Sequence, residues 1–301
     1  MRLLTFIRDG EARLGALIGP RSGIFDEEVV DLAAAQQAHT GAPPRRSSMR
    51  DLIEAGPDVW ARLGSDLESG DYSAFARPLS TLKLTAPVAP SKIVAIGQNY
   101  ADHVREQGGK MPERPIVFAK FPTTVIGPGD EIRWDPALSD KIDWEAELAV
   151  VIGRKTRRVP ATQATDSIFG YTIANDVTAR DLQHDDGQWV RGKSLDTFCP
   201  LGPWIVTRDE IPQPHRLAIR CRVNDEVVQD SRTDQLIFDI PALIEFLSRS
   251  FTLLPGDVIL TGTPPGVGHF RKPPRYLRDG DVVEAEIERI GFLRNTCRTE
   301  R

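Results

Sequence analysis

The segment Asp143-Trp144-Glu145-Ala146-Glu147-Leu148-Ala149-Val150-Val151-Ile152-Gly153 narrows the folds open to this chain more than any other. Its apolar, β-branched run from Leu148 to Ile152 predicts a strand buried on both faces, and alternation along a strand puts Glu145 and Glu147 on the same face. Two like charges side by side at the head of a buried strand are costly unless a cation or protons compensate them. The chain must either leave that strand end in solvent, as the pattern alone allows, or build a cation site around it. A third carboxylate, Asp176, closes a second apolar run, Gly170 to Val177, where it passes into Thr178-Ala179-Arg180-Asp181-Leu182-Gln183. Three oxygen ligands from two strands, with no matching Cys or His cluster, describe an open site for Mg²⁺ or Mn²⁺ rather than a closed zinc site.

Composition sets the outer limits. The chain has 301 residues, 40% of them hydrophobic and 27% charged, enough for one large domain or a medium one with a small companion. A formal net charge of −5 gives no basic footprint, so neither nucleic acid nor an anionic membrane is an expected partner. The pairs Arg45-Arg46 and Arg157-Arg158 read as solvated loop charges. Cys199, Cys221 and Cys297 are widely spaced and form no C-x-x-C, which predicts buried thiols in a reducing compartment. The opening Met1 to Arg8 has too short an apolar run for a secretory signal, and the expected location is the cytoplasm.

Residues 1–85 are expected to form a small N-terminal α/β domain, and residues 86–301 the main domain. Leu3 to Ile7 and Leu14 to Ile18 flank the hairpin signal Asp9-Gly10, while Glu28 to Ala38 and Met49 to Leu63 carry helical spacing around the loop at Pro43-Pro44. The proline-punctuated Thr85 to Pro90 is the connector. Beyond it the apolar runs are short, at 93–97, 115–120, 148–152, 171–174, 219–223, 258–261 and 282–287, and helical patterns are few, chiefly 99–107 and 240–248. That distribution predicts a β-rich α+β fold rather than alternating βαβ units.

Gly187 to Ser194 fits the phosphate-loop pattern G-x-x-x-x-G-K-S letter for letter. A working phosphate loop follows a buried strand and opens a helix, whereas here the polar Asp181 to Asp186 precedes it and Cys199-Pro200 soon follows. Nucleotide binding is therefore not expected. Gly262 to Gly268, interrupted by two prolines, is no dinucleotide fingerprint and reads as a rigid turn presenting Thr261 or Thr263. In Gly97 to Gly109, His103 and Glu106 at i and i+3 share one helix face, an arrangement suited either to a carboxylate-oriented general base or to an ordinary surface pair. The Gly108-Gly109 stop suits a short helix able to act as a lid.

These motifs, in this order, resemble the fumarylacetoacetate hydrolase family over roughly Ile93 to Ile290. The resemblance rests on Asn99-Tyr100-x-x-His103-x-x-Glu106, Glu145-x-Glu147, Asn175 to Asp181 with Gln183, Gly192-Lys193-Ser194, and Gly256 to Gly268. It implies a mixed β-sandwich roll for the main domain, a small N-terminal unit as in longer bacterial members, and a homodimer. It further implies Mg²⁺ or Mn²⁺ at Glu145, Glu147 and Asp176, water activation by His103 and Glu106, and charge stabilisation by Lys193. Arg180, Gln183 and Thr263 match its substrate-facing positions. One departure is the compact spacer between Gln183 and Lys193, so contacts there need not follow other members.

The expected activity is metal-dependent hydrolysis of the C–C bond of an acylpyruvate-like 2-oxo acid through an enolate. The same site without water attack would serve oxaloacetate decarboxylation or keto–enol isomerisation of a 2-hydroxydienoate. Two rivals of other classes are a non-catalytic module holding a dicarboxylate and a nucleotide-dependent enzyme using Gly187 to Ser194.

Overall fold

The buried strand expected around Leu148 runs Ala146–Ile152, and every residue in it is buried. In this computed structural model, which describes residues 1–19, 27–40 and 48–300, it is a central strand of a twelve-stranded mixed sheet. Its even-numbered side chains, Leu148, Val150 and Ile152, enter one core. The odd-numbered Ala149 and Val151 enter another on the opposite face. Glu147 lies on the odd face, so its carboxylate points the way two buried apolar side chains already point.

The strand pairs antiparallel with Ile168–Asn175 on one side and Val258–Leu260 on the other. Val258–Leu260 pairs parallel with Ile93–Gly97, which pairs with the edge strand Ile116–Lys120. Across the first core lies a five-stranded sheet of Glu226–Arg232, Ala218–Val223, Val282–Ile287, Gly291–Thr299 and Glu131–Trp134. The fold is the strand-rich α+β one that the short apolar runs predict. The three cysteines are free and buried.

The N-terminal hairpin forms from Arg2–Arg8 and Glu11–Ile18. Asp9 and Gly10 take φ of 53° and 80°, the double left-handed geometry of a tight two-residue hairpin turn. Hydrogen bonds cross the expected boundary near residue 85, since Arg2 and Leu3 pair with Val206 and Ile205 in the large sheet. Two expected helices differ from their patterns. Residues Glu28–Asp31 are a strand on Glu11–Ile18, where the β-branched pair Val29-Val30 is buried, and the helix begins only at Leu32. The 49–63 pattern splits into Met49–Glu54 and Pro57–Ser69, because Gly56 at φ 86° and Pro57 interrupt the helical ladder. The pairs Pro43-Pro44 and Arg45-Arg46 lie outside the described residues.

The helix near His103 is Ala101–Glu106, with His103 and Val104 buried and Gly108 at φ 65°. The helix Ile240–Ser250 starts on Asp239, whose side chain accepts from the Ala242 N–H, with Pro241 in its first turn. The phosphate-loop look-alike follows the helix Arg180–Asp185 and contains one helical turn, Val190–Lys193. No strand leads into it, so the geometry that cradles phosphate is missing.

Candidate active site

The start of Ala146–Ile152 and the end of Ile168–Asn175 are in register, Ala146 opposite Asn175. Asp176 N–H donates to the Glu145 carbonyl at 2.8 Å, and Glu145 N–H donates to Asn175 Oδ1 at 2.9 Å. This pairing brings three buried carboxylates together, with one oxygen each from Glu145, Glu147 and Asp176 lying within 4.8 Å of one another. Glu147 Oε2 accepts from the Gly262 N–H at 2.7 Å. Gly262 sits at φ 104° with its missing Cβ only 2.9 Å from Asn99 Cβ, so only glycine fits the turn that presents this donor.

Cations surround the acids. Lys193 Nζ is 2.7 Å from both Glu145 Oε2 and Asp176 Oδ2. Arg180 reaches Glu145 Oε1 at 2.7 Å and Asp143 Oδ2 at 2.8 Å, and donates to Gln183 Oε1 at 3.1 Å. Lys120, fully buried, lies 2.7 Å from Asp176 Oδ1 and also donates to the Val177 and Lys193 carbonyls. Asp143 is held in turn by the Gly268 and His269 N–H groups at 2.6 and 2.9 Å.

The electrostatics follow from this packing. Burial pushes the Glu147 carboxyl well up, and Asp176 and Glu145 push it further. Burial also pushes Glu145 up, but Lys193 and Arg180 outweigh it and bring that carboxyl down to about 2. Burial works against the charges on Arg180 and Lys193, yet their acidic partners hold both above their ordinary values. Four carboxylates thus face three cations, and a proton on Glu147 makes the cluster neutral. A divalent cation replacing that proton would leave one net positive charge. The oxygen-only donor set and the raised Glu147 carboxyl both fit such a cation.

His103 is 5% exposed. Its Nδ1 lies 3.0 Å from Glu106 Oε2, and Glu106 accepts from the Gly266 N–H at 3.0 Å. A cavity of about 80 Å³ is lined by His103, Glu145, Glu147, Arg180, Gln183, Lys193 and Thr263, bringing eight of the nine expected site residues together once Glu106 is counted through His103. Asp176 completes the nine through its contacts to Lys193 and Lys120. Thr263 lines the cavity, but its hydroxyl donates to the Ala146 carbonyl at 2.9 Å and accepts from Gln229 at 2.8 Å. A larger cavity, about 590 Å³, lies among residues 14–72, and none of the site residues lines it.

Sequence reasoning missed Lys120, Asp143, Gln107 and the aromatic lining from Phe118 and Trp189. A lysine ending the apolar run Ile116 to Lys120 and an aspartate opening the Glu145 segment were the available signals. Neither has a spacing that names its partner.

Residues 92–298 match the fumarylacetoacetate (FAA) hydrolase C-terminal family, and the chain belongs to that family. Two human proteins, the mitochondrial oxaloacetate tautomerases FAHD2A and FAHD2B, are each 51% identical over 298 residues, covering 98% of this chain and 91% of theirs. The crystal structure of 2-hydroxyhepta-2,4-diene-1,7-dioate isomerase from Mycobacterium marinum matches with a TM-score of 0.78 and 36% identity, covering 100% of this chain and 99% of that one. The fumarylacetoacetate hydrolase of Exiguobacterium antarcticum matches with a TM-score of 0.83 and 37% identity over the whole of both chains. The family is one of enzymes, which sets aside the non-catalytic rival. The mitochondrial naming of the human relatives corrects the expected cytoplasmic location. Buried thiols separate a reducing interior from an oxidising exterior, but not one interior compartment from another. Among the described residues, no helix is long and apolar enough to cross a membrane.

Proposed function

We propose that this chain is a divalent-metal-dependent keto–enol tautomerase of a short 2-oxo dicarboxylate of the oxaloacetate kind. One observation carries the reading: a cavity of only about 80 Å³ is lined both by the His103 imidazole and by Glu145, Glu147 and Lys193. A four-carbon acid suits that space better than an acylpyruvate with a long tail. The names of the human relatives support the same choice.

Held by Glu145, Glu147 and Asp176, Mg²⁺ or Mn²⁺ would polarise the adjacent carboxylate and keto oxygens of the substrate. Arg180 fixes the Glu145 carboxylate from its far oxygen and so orients that ligand. Lys193, held against Glu145 and Asp176, stabilises negative charge growing on the 2-oxo oxygen. His103, oriented by Glu106, takes the proton from C3 as the C2 oxygen becomes an enolate. A proton returned to that oxygen completes the enol. Only a C–H bond breaks, and no water is consumed.

The test is the rate of enol-to-keto conversion of oxaloacetate, followed by NMR after EDTA treatment and again with Mg²⁺ or Mn²⁺ restored. Acceleration that disappears with EDTA and returns with the metal is expected. The second reading, acylpyruvate hydrolysis, draws on the same dyad, since an oriented imidazole also activates water. Release of acetate and pyruvate from acetylpyruvate, with no acceleration of oxaloacetate tautomerisation, would favour it. The reading carries a homodimer with it, which sedimentation equilibrium would check.

A further inference from the structure

The look-alike loop Gly187 to Ser194 delivers two side chains to the cavity, Lys193 and Trp189. Lys193 belongs to the chemistry. Trp189 has no polar task there, and its position is set by two neighbours. An ideal Cβ built on Gly97 would lie 2.4 Å from Trp189 Cζ3 and 2.9 Å from Cη2, so the indole rests on bare backbone that only glycine leaves free. Gly97 does not take a left-handed φ, so the demand for glycine here is one of space rather than backbone conformation. On another side the Phe118 ring meets the indole edge-on, with centroids 5.4 Å apart and planes at 66°. The same Phe118 ring lies 5.1 Å from Lys193 Nζ, which contacts Glu145 and Asp176.

Read outward from the carboxylates, the order is Lys193, Phe118, Trp189. The 2-oxo acid end is anchored at the charged floor, and the indole stands beyond the first aromatic ring, clamped so that it cannot swing away without losing its seat on Gly97. We propose that Trp189 is the specificity-determining wall that limits the length of the substrate's far end, and that Gly97 is the position that admits it. This rests on the tautomerase reading and gives it a substrate class: unbranched 2-oxo acids of about the size of oxaloacetate, with longer acyl tails excluded.

The experiment measures by calorimetry the binding of oxalate, which has no tail, and of acylpyruvates of increasing tail length, to the metal-loaded wild type, Trp189→Ala, Trp189→Phe, Gly97→Ala and the Gly97→Ala/Trp189→Ala double variant. The readout is the ratio of each tail's dissociation constant to that of oxalate. In the wild type the ratio should rise steeply with length, and in Trp189→Ala it should fall by about tenfold or more for the longest tail, the scale on which a pocket discriminates added methylenes. Trp189→Phe should lie between. Gly97→Ala should change the ratios only while the indole is present, so the double variant should match Trp189→Ala, a non-additivity expected of touching residues. Equal ratios in wild type and Trp189→Ala, or a Gly97→Ala effect that persists without the indole, would overturn the proposal. Failure of the functional reading looks different: oxaloacetate tautomerisation is absent from the wild type while the tail-length ratios still respond to Trp189.

Discussion

Gln107 Nε2 stands 2.7 Å from His103 Nε2, while the other end of the amide, Oε1, accepts from Gln98 Nε2 at 3.3 Å. The amide therefore offers an N–H to the imidazole, whose Nε2 accepts it, and the neutral ring carries its proton on Nδ1 toward Glu106. Long-range ¹H–¹⁵N spectra of the metal-free protein should show this tautomer, and an Nε2–H tautomer would contradict it. His103→Ala should lower kcat for tautomerisation by about 10²–10⁴-fold, the usual span for a lost general base. An unchanged kcat would remove the dyad from the chemistry.

Cation binding should release a proton. Burial, then Asp176 and Glu145, hold the Glu147 carboxyl well above the usual range, so a divalent ion has to displace its proton. Proton release is favoured at high pH, so apparent Mg²⁺ affinity should rise with pH until Glu147 ionises without help. Calorimetry in two buffers of different ionisation enthalpy reads the released proton directly. Glu147→Gln should lose both the proton release and most of the affinity, and metal binding with no proton release in the wild type would refute the account.

Lys193 does for the metal-free site part of what a cation would do. With Lys193→Met, Glu145 and Asp176 lose a buried partner, and stability without metal should fall by about 3–5 kcal/mol. Added Mg²⁺ should recover part of that loss. The pH dependence has a definite sign: a carboxyl lowered from 4.5 to about 2 contributes stability that is present above 4.5 and lost as pH falls toward 2. Urea titrations across that window should show a shallower acid decline in the variant than in the wild type, and identical slopes would mean the Lys193 pairing contributes nothing.

Gly266 ties Glu106 to the turn through its N–H and sits at φ 100°, with its missing Cβ 1.9 Å from the Val228 carbonyl oxygen. Gly266→Ala should destabilise the fold by about 1–3 kcal/mol through backbone strain. Because the same shift moves the carboxylate that orients His103, kcat should fall as well. A variant with wild-type unfolding midpoint and kcat would show that this turn is relaxed in solution.

Much of the site was legible because strand periodicity is a local property. The spacing of Glu145 and Glu147 already put both on one face of a strand, leaving solvent or a cation site as the alternatives, and a second run ending at Asp176 offered a third oxygen ligand. His103 and Glu106 were readable for the same reason, a helical spacing of three. Periodicity failed where two signals overlapped: Val29-Val30 are apolar at positions that suit either a helix or a strand, and the neighbouring Leu17 and Ala16 across the ladder settled it. Boundaries within 49–63 were hidden because the helical pattern runs through Gly56-Pro57.

By itself, then, the sequence determined the strand-rich class and the pairs Glu145/Glu147 and His103/Glu106, written into spacings of two and three residues that backbone geometry converts directly into a shared face, while strand pairing brought Asp176 to them. Only the tertiary structure decided what neutralises the triad and what bounds the cavity. Lys120 reaches Asp176 across 55 intervening positions. Asp143 meets Arg180 across 36, and Trp189 finds the open backbone of Gly97 across 91. Such partners carry no periodic signature, because sheet order and loop packing, not local backbone geometry, set the distance between them.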